Sequence, residues 1–143
     1  MKIKRITKYS ERVFKAVLRM LPQLSSDADL PDRQYFKAML AAGNTYFFIA
    51  ELDDKQIAGM LTIGICHIPS GKKVWIEDVV VDESQRGKGI GKELILFALA
   101  YSASFGAKTI NLTSRPARTA ANKLYRQIGF EQYETNVYKY FLE

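Results

Sequence analysis

The stretch from Trp75 to Leu96, WIEDVVVDESQRGKGIGKELIL, restricts the fold more than any other part of the chain. Its apolar run through Val79, Val80 and Val81 predicts a buried strand. A short polar turn follows, and then glycines at positions 87, 89 and 91 lead straight into a helical pattern. Where a strand feeds a helix in this way, unpaired N–H groups and the positive end of the helix dipole converge on one spot. Glycine permits positive φ and lets another group approach the backbone closely. A tight turn that binds nothing would use the same glycines. Arg86, Lys88 and Lys92 tilt the balance toward an anion site. A P-loop is excluded because Gly91-Lys92 is followed by Glu93 instead of Ser or Thr. A dinucleotide fingerprint is excluded because the spacing is G-x-G-x-G and not G-x-G-x-x-G.

Around this junction the chain reads as alternating elements. Lys2–Thr7 predicts a strand. A helix capped by Ser10 follows, carrying Val13, Phe14, Val17, Leu18 and Leu21, and Pro22 is expected to stop it. Residues 23–30 read as a loop. Pro31 suits the first turn of a second helix with Tyr35, Phe36, Met39 and Leu40 at helical spacing, ended by Gly43-Asn44. Thr45–Leu52 and Gln56–Cys66 predict a hairpin. Gly59 and Gly64, inside its second strand, suggest a bulge or a close backbone approach. Lys72–Asp82 is the central strand, Gly89–Ser104 a helix, Lys108–Thr113 a strand and Ala117–Ile128 a helix ended by Gly129. Phe130–Leu142 is expected to return as strand, in one or two pieces. The order βααβββαβαβ, with one strand–helix–strand unit and one hairpin, implies a mixed sheet flanked by helices, an α+β (mixed α/β) class.

A chain of 143 residues with 48% apolar content is expected to form one compact domain spanning residues 1–143. The formal net charge of +6 favours anionic partners. Basic residues are spread along the chain and not gathered in a run, which disfavours a dedicated nucleic-acid binder. A single cysteine, Cys66, excludes an intramolecular disulfide, and with a single histidine, His67, no Cys/His zinc site is expected. Cys66 reads as a small packing residue and His67 as an exposed loop residue. The basic start lacks the apolar core of a signal peptide, and no apolar run has the length of a membrane span. A soluble, cytoplasmic protein is the expectation.

Arg86-x-x-Gly89-x-Gly91 after Val79-Val80-Val81 resembles the acetyl-CoA motif of the GNAT superfamily of N-acetyltransferases, Arg/Gln-x-x-Gly-x-Gly/Ala, without a substitution. The element order matches that family over nearly the whole chain. The resemblance implies a mostly antiparallel sheet whose two central parallel strands splay apart. It implies that acetyl-CoA is the co-substrate. Backbone N–H groups of Gln85, Arg86, Gly87, Lys88, Gly89, Ile90, Gly91 and Lys92 would cradle the pyrophosphate. The strand at Val79, Val80 and Val81 would receive the pantetheine, pairing through the backbone of Val79 and Val81. Asn122-Lys-Leu-Tyr125-Arg-Gln-Ile-Gly129-Phe130 resembles the family's second segment. From spacing alone, Asn122 and Tyr125 share a helix face, with Tyr125 at the core edge and Asn122 solvated. By resemblance, Asn122 hydrogen-bonds the pantetheine and Tyr125 protonates the departing thiolate.

Transfer to an amine also needs a base and an oxyanion donor. A backbone N–H near Val79–Val81 suits the second role. Glu77 and Asp78 are the candidate bases and point to opposite faces of a regular strand. Glu77 shares its parity with Val79 and Val81, an inference that a bulge would invert. Either carboxylate could equally pair with a nearby cation. The reading is thus an N-acetyltransferase acting directly on a small-molecule or peptide amine, the alternative being a non-catalytic acyl-CoA-binding module. The apolar residues of the last segment would allow a homodimer.

Overall fold

The computed structural model describes all residues from Met1 to Glu143. The chain divides into two compact units, Met1–Thr113 and Ser114–Glu143.

The first unit is built on a five-stranded sheet ordered β1 (Lys2–Ile6), β2 (Thr45–Glu51), β3 (Ile57–Ile68), β4 (Gly71–Val81) and β5 (Ile110–Asn111). The first four strands are antiparallel to their neighbours, and β5 is parallel to β4. Helices α1 (Glu11–Leu24) and α2 (Arg33–Ala41) cover one face. There Val13, Phe14, Val17, Met20 and Phe36 pack with Phe47, Ile49, Met60 and Val80. Alternation along the strands sends Phe48, Leu61, Ile63, Val74 and Ile76 to the other face. That face receives α3 (Ile90–Ser104), which buries Ile90, Leu94, Ile95 and Ala98.

The glycine expectation holds at Gly59. A Cβ there would stand 3.0 Å from both Leu94 Cδ1 and the Val80 carbonyl, so the bare backbone lets α3 close on the sheet. Gly64 faces open space and has no such role.

Two local expectations are corrected. Pro22 does not end α1, which runs on to Leu24. Proline in the last turn removes one bond, and Ser25 N–H still closes the helix on the Leu21 carbonyl at 3.2 Å. Pro31 lies outside α2, whose cap is Asp32, its carboxylate accepting from Tyr35 N–H at 2.7 Å.

The second unit holds α4 (Thr119–Ile128), closed by Gly129 at φ 117°. The strand expected over Phe130–Leu142 is absent, and Tyr133, Val137, Tyr138, Tyr140 and Phe141 are exposed. An alternating apolar pattern becomes a strand only when another strand accepts its hydrogen bonds, and this unit contains none. No helix of the chain is long and apolar enough to cross a membrane.

Candidate active site

The centre of β4 is bulged. Glu77 opposes Thr62 and Val80 opposes Met60, so Asp78 and Val79 together face the single residue Leu61. Asp78 takes up the extra residue at φ 48°, a left-handed conformation that aspartate tolerates better than most residues. Thr62 and Met60 share a face, and so therefore do Glu77 and Val80. The expected parity of Glu77 with Val79 and Val81 is inverted. Glu77 projects from the face that α1 and α2 cover, but at a point where it stays exposed.

The opposite edge of β4 is open. Strand β5 pairs only at Val74↔Ile110 and Trp75↔Asn111, so the parallel pair separates after Trp75, as expected for splayed central strands. Asp82 N–H donates to the Ala58 carbonyl at 2.8 Å, on the β3 side. Alternation then turns the backbone groups of Val81 and Val79 toward the open edge. The Val81 carbonyl accepts from Arg86 Nε at 3.2 Å. Val80 instead turns its backbone to β3 and buries its side chain in the core.

Beyond Val81 a 3-10 turn, Glu83–Gln85, leads to α3. Gly87 and Gly89 sit at φ 77° and 80°, which only glycine adopts without strain. Gly89 is the N-cap and offers no side chain to the helix. The first helical N–H to reach a carbonyl is that of Glu93, on Gly89 at 3.1 Å. The N–H groups of Ile90, Gly91 and Lys92 precede it and remain available to an acceptor. Ile90 is buried and anchors the start of the helix. Arg86, Lys88 and Lys92 are exposed around it. Gln85 differs from the others expected to cradle an anion. Its N–H already donates to the Asp82 carbonyl at 2.8 Å, and its side chain joins Gln56 and Lys88 Nζ.

Protein packed around Glu77 raises its pKa, and the neighbouring Asp78 charge raises it further. Asp78 is raised by desolvation. Both shifts move a carboxylate toward the range in which it accepts protons near neutral pH.

In the second unit, Asn122 and Tyr125 lie on α4 at the expected spacing. Asn122 Nδ2 donates to the Arg115 carbonyl at 2.9 Å, tying the preceding loop to the helix. Tyr125 is the buried residue of α4, and its ring meets Phe130 edge-on at 5.8 Å. Burial raises the pKa of its phenol, partly opposed by Arg118, so the hydroxyl stays protonated at neutral pH.

Sequence reasoning missed the supports of the junction. Asp82 is buried and accepts from Arg19 Nε at 2.8 Å, from Ser84 N–H at 3.1 Å and from Ser84 Oγ at 2.8 Å. Burial alone would raise its pKa. The Arg19 and Ser84 hydrogen bonds outweigh that and hold it below the ordinary value. The local signal was Asp82-Glu83-Ser84, an Asx-capped turn. Nothing local points to Arg19. Cys66 differs from expectation, being a free surface thiol, whereas His67 is exposed as expected but lies in β3, in register with Lys72, and not in a loop.

An antiparallel sheet that ends in a short parallel pair, beside a glycine-built helix start, defines a mixed α+β fold. An aminoglycoside acetyltransferase from an uncultured soil metagenomic sample superposes with a TM-score of 0.85, covering 99% of this chain and 95% of that one, at 24% identity. The chain belongs to the acetyltransferase (GNAT) family, whose sequence profile matches residues 11–130. It is 30% identical over 105 residues to an uncharacterized N-acetyltransferase of Methanocaldococcus jannaschii, 71% of this chain and 46% of the relative. The match thus spans less than half of that protein's length. A glucosamine 6-phosphate N-acetyltransferase of Trypanosoma brucei brucei is 33% identical over 101 residues, 57% of this chain and 67% of the relative.

Proposed function

We propose that the protein moves an acetyl group from acetyl-CoA directly to a primary amine of a small molecule or peptide, with residues 1–143 working as one catalytic unit. The family match across residues 11–130 supports treating both compact units together. The observation that carries the donor assignment is the open edge of β4 running into the uncapped start of α3. Pantetheine extends β4 by pairing with the backbone of Val79 and Val81, and the N–H groups of residues 86–92 receive the pyrophosphate.

In this reading Glu77, directly or through a water, takes the proton that the amine must lose to become nucleophilic. Its raised pKa suits that task. A backbone N–H on the open edge stabilises the oxygen of the tetrahedral intermediate. The C–N bond forms, the C–S bond breaks, and the Tyr125 hydroxyl supplies the proton to sulfur. The phenol is protonated at neutral pH and so carries the proton that the departing thiolate takes up, and its ordinary pKa of about 10 lies near that of a thiol. Asn122, by the family resemblance, orients the pantetheine.

The test incubates the full chain with acetyl-CoA and a panel of amino sugars, aminoglycosides, polyamines and peptides, following thiol release and product mass. An acetylated amine with stoichiometric thiol is the expected result. Tight coenzyme A binding with no thiol release from any amine would favour a non-catalytic acyl-CoA-binding module instead.

A further inference from the structure

The glycines that suit the junction to an anion also leave it without direction of its own. Gly87 and Gly89 can adopt many conformations, so the aim of the N–H groups over residues 86–92 has to be set from outside the segment. One side is held by Ile90, buried against the sheet. The other is held by Asp82, and behind Asp82 stands α1.

Every polar group of Asp82 is engaged. Its N–H reaches Ala58, its carbonyl takes Gln85 N–H, one carboxylate oxygen takes both Ser84 donors, and the other takes Arg19 Nε. Arg19 is itself fixed by a second bond, Nη2 to the Ile57 carbonyl at 3.0 Å. One helical turn further along α1, Gln23 Oε1 accepts the Glu83 N–H at 2.8 Å, and Gln23 Nε2 returns to the Arg19 carbonyl at 3.2 Å. The three residues of the turn are therefore each tied down, Glu83 by Gln23, Ser84 by the Asp82 carboxylate and Gln85 by the Asp82 carbonyl.

We propose that Arg19, acting through Asp82, and Gln23, acting through Glu83, are positioning residues for coenzyme A: the last two turns of α1 aim the glycine junction at the pyrophosphate. The inference rests on the reading above that this junction takes acetyl-CoA. It adds that affinity for the phosphate portion is set by a helix that contributes no group to the phosphate itself. Because a charge-assisted bond is the strongest kind in such a support, its loss is expected to weaken coenzyme A binding about tenfold.

The experiment titrates the full chain with coenzyme A and, separately, with pantetheine, which lacks both pyrophosphate and nucleotide, following backbone amide shifts. Asp82→Asn keeps an oxygen for Ser84 but breaks the ion pair. Gln23→Ala removes an acceptor from a half-exposed side chain and so leaves the fold intact if Asp82→Asn does not. Arg19→Lys keeps the charge but cannot hold Asp82 and Ile57 together. The expected result is a coenzyme A Kd raised about tenfold in Asp82→Asn and about threefold in Gln23→Ala and Arg19→Lys, with the pantetheine Kd unchanged in all three. Variants that melt earlier but keep the wild-type coenzyme A Kd overturn the inference, as does equal weakening of both ligands, since either outcome marks a purely structural role. Wild-type protein that binds no coenzyme A overturns the donor assignment itself, a result distinct from the other two.

Discussion

Glu77 and Val80 stand three residues apart on β4 and project from the same face of the sheet. In a regular strand they would face opposite ways. The bulge at Asp78 therefore does two things at once. It brings a carboxylate with a raised pKa to the face shared with α1 and α2, and it leaves the backbone of Val79 and Val81 on the open edge.

Glu77→Gln is expected to lower kcat/KM about a hundredfold, the usual contribution of a positioned general base. The wild-type rate should fall as pH drops through the raised Glu77 pKa, because the protonated carboxyl cannot accept the amine proton. The variant should lose that acidic limb. A pH–rate profile unchanged by the substitution would move the base elsewhere, with Asp78 the first alternative.

Tyr125→Phe removes only the hydroxyl from a buried ring whose contact with Phe130 remains. The coenzyme A Kd should stay within about twofold while kcat falls by about a hundredfold. Binding is checked calorimetrically and turnover by thiol release. Loss of both together would mean that the residue packs and does not donate a proton.

Gly59→Ala should destabilise the protein by about 1–3 kcal/mol, the usual cost of overpacking. The added methyl meets Leu94 Cδ1 and the Val80 carbonyl at 3.0 Å. Leu94 could give way, but the carbonyl belongs to the β3–β4 ladder. Urea unfolding measures the change. Gly64→Ala, facing open space, is the control and should shift the midpoint far less.

Glu51 is buried beneath Lys4 Nζ at 2.6 Å and Arg12 Nη2 at 2.7 Å. The Lys4 and Arg12 hydrogen bonds lower its pKa from 4.5 to about 2. A folded-state pKa below the unfolded value adds stability that is fully present above the unfolded pKa and lost as pH falls through the folded one. The contribution should therefore disappear between about pH 4.5 and pH 2. Urea midpoints across that range should fall less steeply in Glu51→Gln than in the wild type.

Much of the fold was legible because its causes are local. Ser10 as a helix cap, the hairpin of β2 and β3, and Gly129 closing α4 each follow from residues within a turn or two of one another. Pro22 does not end α1 because proline removes only its own hydrogen bond, and the helix closes past it through Ser25 N–H on the Leu21 carbonyl. The strand expected over Phe130–Leu142 was misread because alternation records a capacity to pair, whereas a strand requires a partner.

The sequence by itself determined the form of the junction between β4 and α3. Glycine at 87, 89 and 91, an apolar strand before them and a helix after them constrain φ/ψ and free N–H groups within a dozen residues, and local sterics suffice to read that. Only the tertiary structure decided which face Glu77 occupies and what holds the junction in place. Strand register is a relation between two strands, so one extra residue opposite Leu61 reverses every inference from parity. The Arg19–Asp82 pair joins residues 63 positions apart in sequence, and packing of α1 on the sheet is what brings them within hydrogen-bond reach.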